Sequence, residues 1–74
     1  MKRKYTLRFD VSREKWLLKH DDTEKVLKVF DTKEDATRAG ALRKALGREG
    51  GTVKVLTRTG VFEEERNFPR STDR

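Results

Sequence analysis

The residue types that could carry chemistry are few in this chain. His20 is the single histidine, and it stands beside Asp21 and Asp22. An imidazole with two carboxylates could hold a divalent ion weakly, but adjacent residues in a polar His-Asp-Asp-Thr-Glu run read first as a solvated turn. Glu63, Glu64 and Glu65 offer carboxylates for acid–base work, yet successive residues of a strand point to opposite faces, so they do not form a facing pair. Ser12 and Ser71 are the only serines and there is no cysteine. No nucleophile, base and orienting group can be assembled from that set, and no thiolate metal site or disulfide is available. Gly47-Arg48-Glu49-Gly50-Gly51 is glycine-rich, but it lacks the Lys-Ser/Thr of a phosphate loop and follows a helical segment instead of preceding one. The expectation is therefore a protein that is not an enzyme, with no catalytic residues, no metal and no cofactor.

Basic side chains are the second kind of chemistry on offer. The chain of 74 residues carries 19 Lys and Arg against 13 Asp and Glu, a formal net charge of +6. Residues 1–30 hold nine basic and five acidic groups, so most of the surplus lies in the first strands. Tyr5, Leu7 and Phe9 alternate with Lys4, Thr6 and Arg8, and Trp16 and Leu18 alternate with Lys15, Leu17 and Lys19. Period-two alternation marks half-buried strands, apolar on one side and polar on the other. If Tyr5, Leu7, Trp16 and Leu18 face the core, the opposite face presents Lys4, Thr6, Arg8, Lys15, Leu17 and Lys19. Cations spaced along a sheet can follow phosphates, which points to DNA or RNA with Lys4, Arg8, Lys15, Leu17 and Lys19 as the contact set. Lysines that keep a sheet surface soluble and its edges unpaired would look the same.

A third feature is apolar. Leu17, Leu27, Val29, Leu56 and Val61 exceed what one helix on one sheet face can cover, so part of them must be exposed or lie in an interface. That favours a protein-interaction module: an acidic protein partner, or a second copy in a homodimer. The two binding readings stay open at this level.

The elements that must position these groups follow from pattern. Asp10-Val11-Ser12-Arg13 and the run from His20 to Glu24 separate three strands, the third being Lys25 to Phe30. Its facing is ambiguous, with Val26, Phe30 and the Lys28 stem favoured as the inward set. Thr32, followed three residues later by Asp35, predicts a capped helix from Thr32 to about Leu46, with Glu34 and Arg38 paired and Ala36, Ala39, Leu42 and Leu46 on its buried stripe. Gly47 is the expected stop. Val53 and Val55 define a fourth strand, Arg58-Thr59-Gly60 a hairpin turn, and Phe62 to Phe68 a return strand ended by Pro69. The expected fold is a single α+β domain, β-β-β-α-β-β, with a mainly antiparallel sheet and one helix on one face, ordered from about 4 to 68 and with a frayed tail at 70–74. No stretch approaches the roughly 20 apolar residues of a membrane span, and no apolar segment follows the basic Met1-Lys2-Arg3-Lys4 as in a secretory signal. These features suit the cytoplasm.

The ordered motifs resemble a family of small prokaryotic proteins known only as a domain of unknown function. Its members show a Tyr-x-Val strand, a Trp-x-Val-Lys strand, Phe-x-Thr-x-x-Glu-Ala at a helix start, Gly-Gly-x-Leu-x-Val, and a hairpin ending in Gly-x-Ile. The matching positions are Tyr5 and Leu7; Trp16, Leu18 and Lys19; Phe30, Thr32 and Ala36; Gly50, Gly51, Val53 and Val55; then Arg58, Gly60 and Phe62. Asp35 replaces the usual Glu, Leu56-Thr57 a His-Gly type pair, and Phe9-Asp10 stands where proline is common. The resemblance implies a fold and a prokaryotic or phage setting, with no assigned activity. A looser similarity over residues 15–46 is to the three-stranded sheet and helix at the N-termini of phage-type integrases, modules that place their sheet in DNA.

Overall fold

The computed structural model describes residues 3–69. Five strands form one sheet in the order β3-β2-β1-β4-β5: β1 is Lys4–Asp10, β2 Lys15–His20, β3 Val26–Phe30, β4 Gly51–Leu56 and β5 Phe62–Phe68. The expected strands are all present. Three of the four pairings are antiparallel, and β1 with β4 is parallel. That parallel pair explains the layout. A chain leaving β3 at the sheet edge must cross β2 and β1 to enter beside β1, and the helical segment supplies this crossing over one face. The tail at 70–74, expected to fray, lies outside the described residues.

The α+β class holds, but the single helix does not. The segment divides into α1, Lys33–Thr37, and α2, Ala41–Leu46, followed by a short 3₁₀ turn, Gly47–Glu49. Its start is as expected, since the Thr32 hydroxyl accepts a hydrogen bond from the Asp35 amide at 3.0 Å. After one turn the Thr37 hydroxyl bonds back to the Lys33 carbonyl at 2.9 Å, Arg38 turns extended (ψ 149°), and Gly40 takes φ 86°. Glycine accepts that left-handed conformation without steric cost. The gain from the break is geometric. On a straight helix Ala36 and Leu42 sit about 120° apart; with the bend both are buried, together with Leu46. Ala39, expected on the stripe, is exposed in the break, and Ala41 and Ala45 pack against the core instead. Arg38 pairs with Asp35, three residues back, and not with Glu34.

The core is thin and one-sided. Tyr5 and Leu7 of β1, Trp16 and Leu18 of β2, Phe30 of β3 and Val53 and Val55 of β4 meet Ala36, Leu42 and Leu46 from the helices. Burying each large apolar side chain contributes about 1.5–3 kcal/mol. Gly51 belongs to this layer for want of space: a Cβ there would lie 2.8 Å from both the Tyr5 ring and the Arg3 carbonyl oxygen. At the rim, Lys33 pairs with Glu63 and stands 5.6 Å above the Trp16 ring, while Arg66 donates to the Thr37 carbonyl at the end of α1 (3.2 Å). Both contacts fasten α1 to the far sheet edge.

Candidate nucleic-acid interface

Among the described residues, no helix packs on the other sheet face. Strand registers define its occupants. Lys19 pairs with Thr6 and Lys15 with Asp10; Thr6 in turn neighbours Lys54, and Lys54 neighbours Glu65. Lys4, Thr6 and Arg8 therefore share this face with Lys15, Leu17 and Lys19 of β2 and with Thr52, Lys54 and Leu56 of β4. The alternation argument placed the β1 and β2 residues correctly. Lys54 escaped it, because only the pairing of β4 beside β1 brings this lysine into line with Thr6 and Lys19. The alternation of Val53 and Val55 around Lys54 was the available signal.

The cations are not equivalent. Lys15 donates to Asp31 at 2.6 Å, and this contact holds the Asp31 carboxyl below its ordinary range, first through the hydrogen bond and then through the charge. Among the described residues, Lys4, Arg8, Lys19 and Lys54 take part in no ion pair within 4.0 Å. They are left to solvent or to a ligand. Asp21 is engaged beside them, accepting the Thr6 hydroxyl at 2.7 Å.

Leu17 departs from expectation. It lies on the open face as expected, yet it is only 5% exposed, flanked by Arg8 on β1 and Val29 on β3. It lines a shallow cleft together with Arg8 and Lys19, long basic side chains of the kind whose aliphatic stems can lie on apolar surface. Leu17 is therefore not itself accessible to a ligand. Of the surplus apolar residues, Leu27 and Val29 are exposed on β3 and Val61 is exposed just before β5, where Phe62 adds a further exposed side chain. Val29, 46% exposed, lies on β3, and Phe62, 56% exposed, lies on β5 at the opposite edge. Between them the row passes through buried Leu17, exposed Arg8 and half-buried Leu56.

In β3, Phe30 is buried as favoured and Lys28 lies opposite Leu18, but Val26 is carried across from Lys19 to the open face. An extra residue, Leu27, bulges out of the ladder and reverses the alternation. The His20 turn also resolves: Nδ1 accepts the amides of Asp22 and Thr23 at 3.2 and 3.4 Å, and the ring stands edge-on to Tyr5. His20 is a turn-forming residue. No helix among the described residues is long and apolar enough to cross a membrane.

A family model described as an uncharacterized protein conserved in bacteria, DUF2188, matches residues 7–68. The chain belongs to the DUF2188 family. The match spans all but the first residues of β1 and runs to the end of β5, so the resemblance to a family of unknown function is borne out. No curated protein and no solved structure matches the chain. For DUF2188, the family description assigns no activity that could be carried to these residues.

Proposed function

We propose that this protein is a non-enzymatic nucleic-acid-binding module that uses the open sheet face. The observation that carries the reading is the band Lys4, Arg8, Lys19 and Lys54, four cations that among the described residues have no ion-pair partner and lie on a face no described element covers. Phosphates bind such a band through charge and displaced counterions, with little demand on sequence. Thr6, Thr52 and Asn67 add polar groups between the cations. Lys15 ranks below the other four, since a ligand must compete with Asp31 for it. The loose likeness to the integrase sheet-and-helix module points in the same direction.

The competing reading is a protein-interaction module, and exposed Val29 and Phe62 favour it. Leu27 and Val29 at one sheet edge and Val61 and Phe62 at the other divide the exposed apolar surface into two smaller patches, whereas the anchors of a protein interface gather at its centre. An electrophoretic mobility shift with short duplex and single-stranded DNA and RNA at low salt decides between the two. We expect a shift with any of these polyanions, and an affinity falling by several decades-per-decade of salt, about 0.9 in log–log slope for each phosphate neutralised on duplex DNA. No shift at low salt, together with recovery of one acidic protein partner, would replace the nucleic-acid reading by the protein one.

A further inference from the structure

Between the β1–β2 turn and the β4–β5 turn, at one end of the sheet, lies a cleft of about 550 Å³ lined by Arg8, Phe9, Val11, Arg58, Thr59 and Gly60. Its lining holds two guanidinium groups and no carboxylate. Neighbouring clefts on the sheet face differ in this respect: the one holding Arg8 and Lys19 also contains Asp21 and Glu24, and the one holding Lys4 and Lys54 contains Glu65. Among these, the end cleft is the one lined by arginines without a carboxylate; Asp10, between its Phe9 and Val11, lines the adjoining cleft and pairs with Arg13.

Arg58 is also held in place. Its guanidinium stacks on the Phe9 ring, 4.4 Å from the centroid, and Phe9 is itself set against Trp16 of the core. A guanidinium lying on an aromatic ring keeps the N–H groups of its edge available for an acceptor. The turn that carries Arg58 is tied through Thr57. The Thr57 amide donates to the Val61 carbonyl (2.7 Å), and the Gly60 amide donates to the Thr57 carbonyl (2.9 Å). The Thr57 hydroxyl accepts the Val61 amide (3.0 Å) and meets the Thr59 hydroxyl (3.1 Å). A fork of donors fixed before the ligand arrives loses little side-chain entropy on binding.

We propose that this cleft is a phosphate-ester site, in which Arg8 and Arg58 grip one phosphodiester group of a bound nucleic-acid strand while Val11 lies against its sugar. The assignment rests on the nucleic-acid reading above and adds to it a defined end point, with Arg8 shared between the sheet face and the cleft. It also gives the strand a direction across the sheet, from Lys4 and Lys54 toward the two hairpin turns.

The test is an amide-resolved NMR titration of the isotopically labelled full chain with a short oligonucleotide and, separately, with inorganic pyrophosphate. Binding of the Arg58→Ala and Arg58→Lys variants is measured alongside, and their thermal melts verify folding. The oligonucleotide should move the amides of Val11, Thr59 and Gly60. Arg58→Ala should weaken binding about tenfold or more and lower the salt slope by about one. Arg58→Lys should recover only part of the loss, because an ammonium lacks the planar fork. If the oligonucleotide binds but these amides stay still and Arg58→Ala binds like the parent, the cleft assignment falls and the sheet-face reading survives. If no oligonucleotide binds while pyrophosphate moves the same amides in the parent and not in Arg58→Ala, the sheet-face reading falls and the cleft stands as a site for a soluble phosphate ester. Silence toward both ligands overturns the cleft.

Discussion

The two faces of this sheet are built from alternate residues of the same strands, and they solve different problems. On the helix side, Leu7, Leu18, Val53 and Val55 are fully buried under α1 and α2. On the other side the positions next to them hold Thr6, Leu17, Lys19, Lys54 and Leu56, and no helix among the described residues packs over them. A helix roof excludes water and fixes the side chains beneath it. Lysine and arginine side chains on an open face keep their rotamer freedom, which leaves their charges available to a ligand. The difference shows how a chain with 32% hydrophobic residues folds: it concentrates them on one layer and leaves the second layer for binding.

Truncating leucines on the two faces should break or sharpen this contrast most strongly. Leu18→Ala is expected to cost about 2–5 kcal/mol, whereas Leu17→Ala, one residue away, should cost about 1–2 kcal/mol because its cover can collapse into the gap. Equal losses in urea midpoint would mean that the open face is packed like a core. Charge reversal comes next. Lys19→Glu combined with Lys54→Glu should lower oligonucleotide affinity by about a hundredfold, some 2.7 kcal/mol, while the melting temperature moves little. Lys15→Ala should cost far less affinity, and a loss as large as that of the double variant would show that the Asp31 pair does not restrain Lys15. On the helix side, Thr32→Ala removes the cap of α1 and should cost about 1 kcal/mol in thermal or denaturant unfolding, without any effect on binding. A change in affinity there would couple the faces.

The smallest expected effect concerns pH. The hydrogen bond and then the charge of Lys15 hold the Asp31 carboxyl below the ordinary carboxylate range. A depressed folded-state pKa adds stability above the ordinary value, and that increment disappears as the pH falls through the folded pKa. Lys15→Ala should therefore return the Asp31 titration, followed by NMR, to the usual carboxylate range and remove its part of the acid slope. Because this pair is solvent-exposed, its influence on overall stability is small.

Particular residues mark how far the sequence could be followed. The strands were legible because Tyr5-Leu7-Phe9, Trp16-Leu18 and Val53-Val55 alternate with polar residues, and the cap because threonine followed by Asp35 has a local hydrogen-bond reason. Two local irregularities were not legible. Gly40 looked like a small residue in a helix, and only the need to bury both Ala36 and Leu42 turns it into a break. Leu27 looked like any strand residue, yet as the extra member of a bulge it reverses the facing of Val26.

By itself, then, the amino-acid sequence determined the strands, the start of the helical crossing, the face each residue of β1 and β2 occupies, and membership of a bacterial family. These properties depend on neighbours a few residues apart, where periodicity and hydrogen-bond reach operate. Strand order belongs to the tertiary structure. Placing β4 parallel to β1 set Lys54 beside Thr6 in line with Lys19. Bringing the turn at Arg58 next to the end of β1 put its guanidinium on Phe9 and made it line one cleft with Arg8. Those contacts join residues about fifty positions apart, and no local pattern encodes them, because burial of a shared core decides which strands become neighbours.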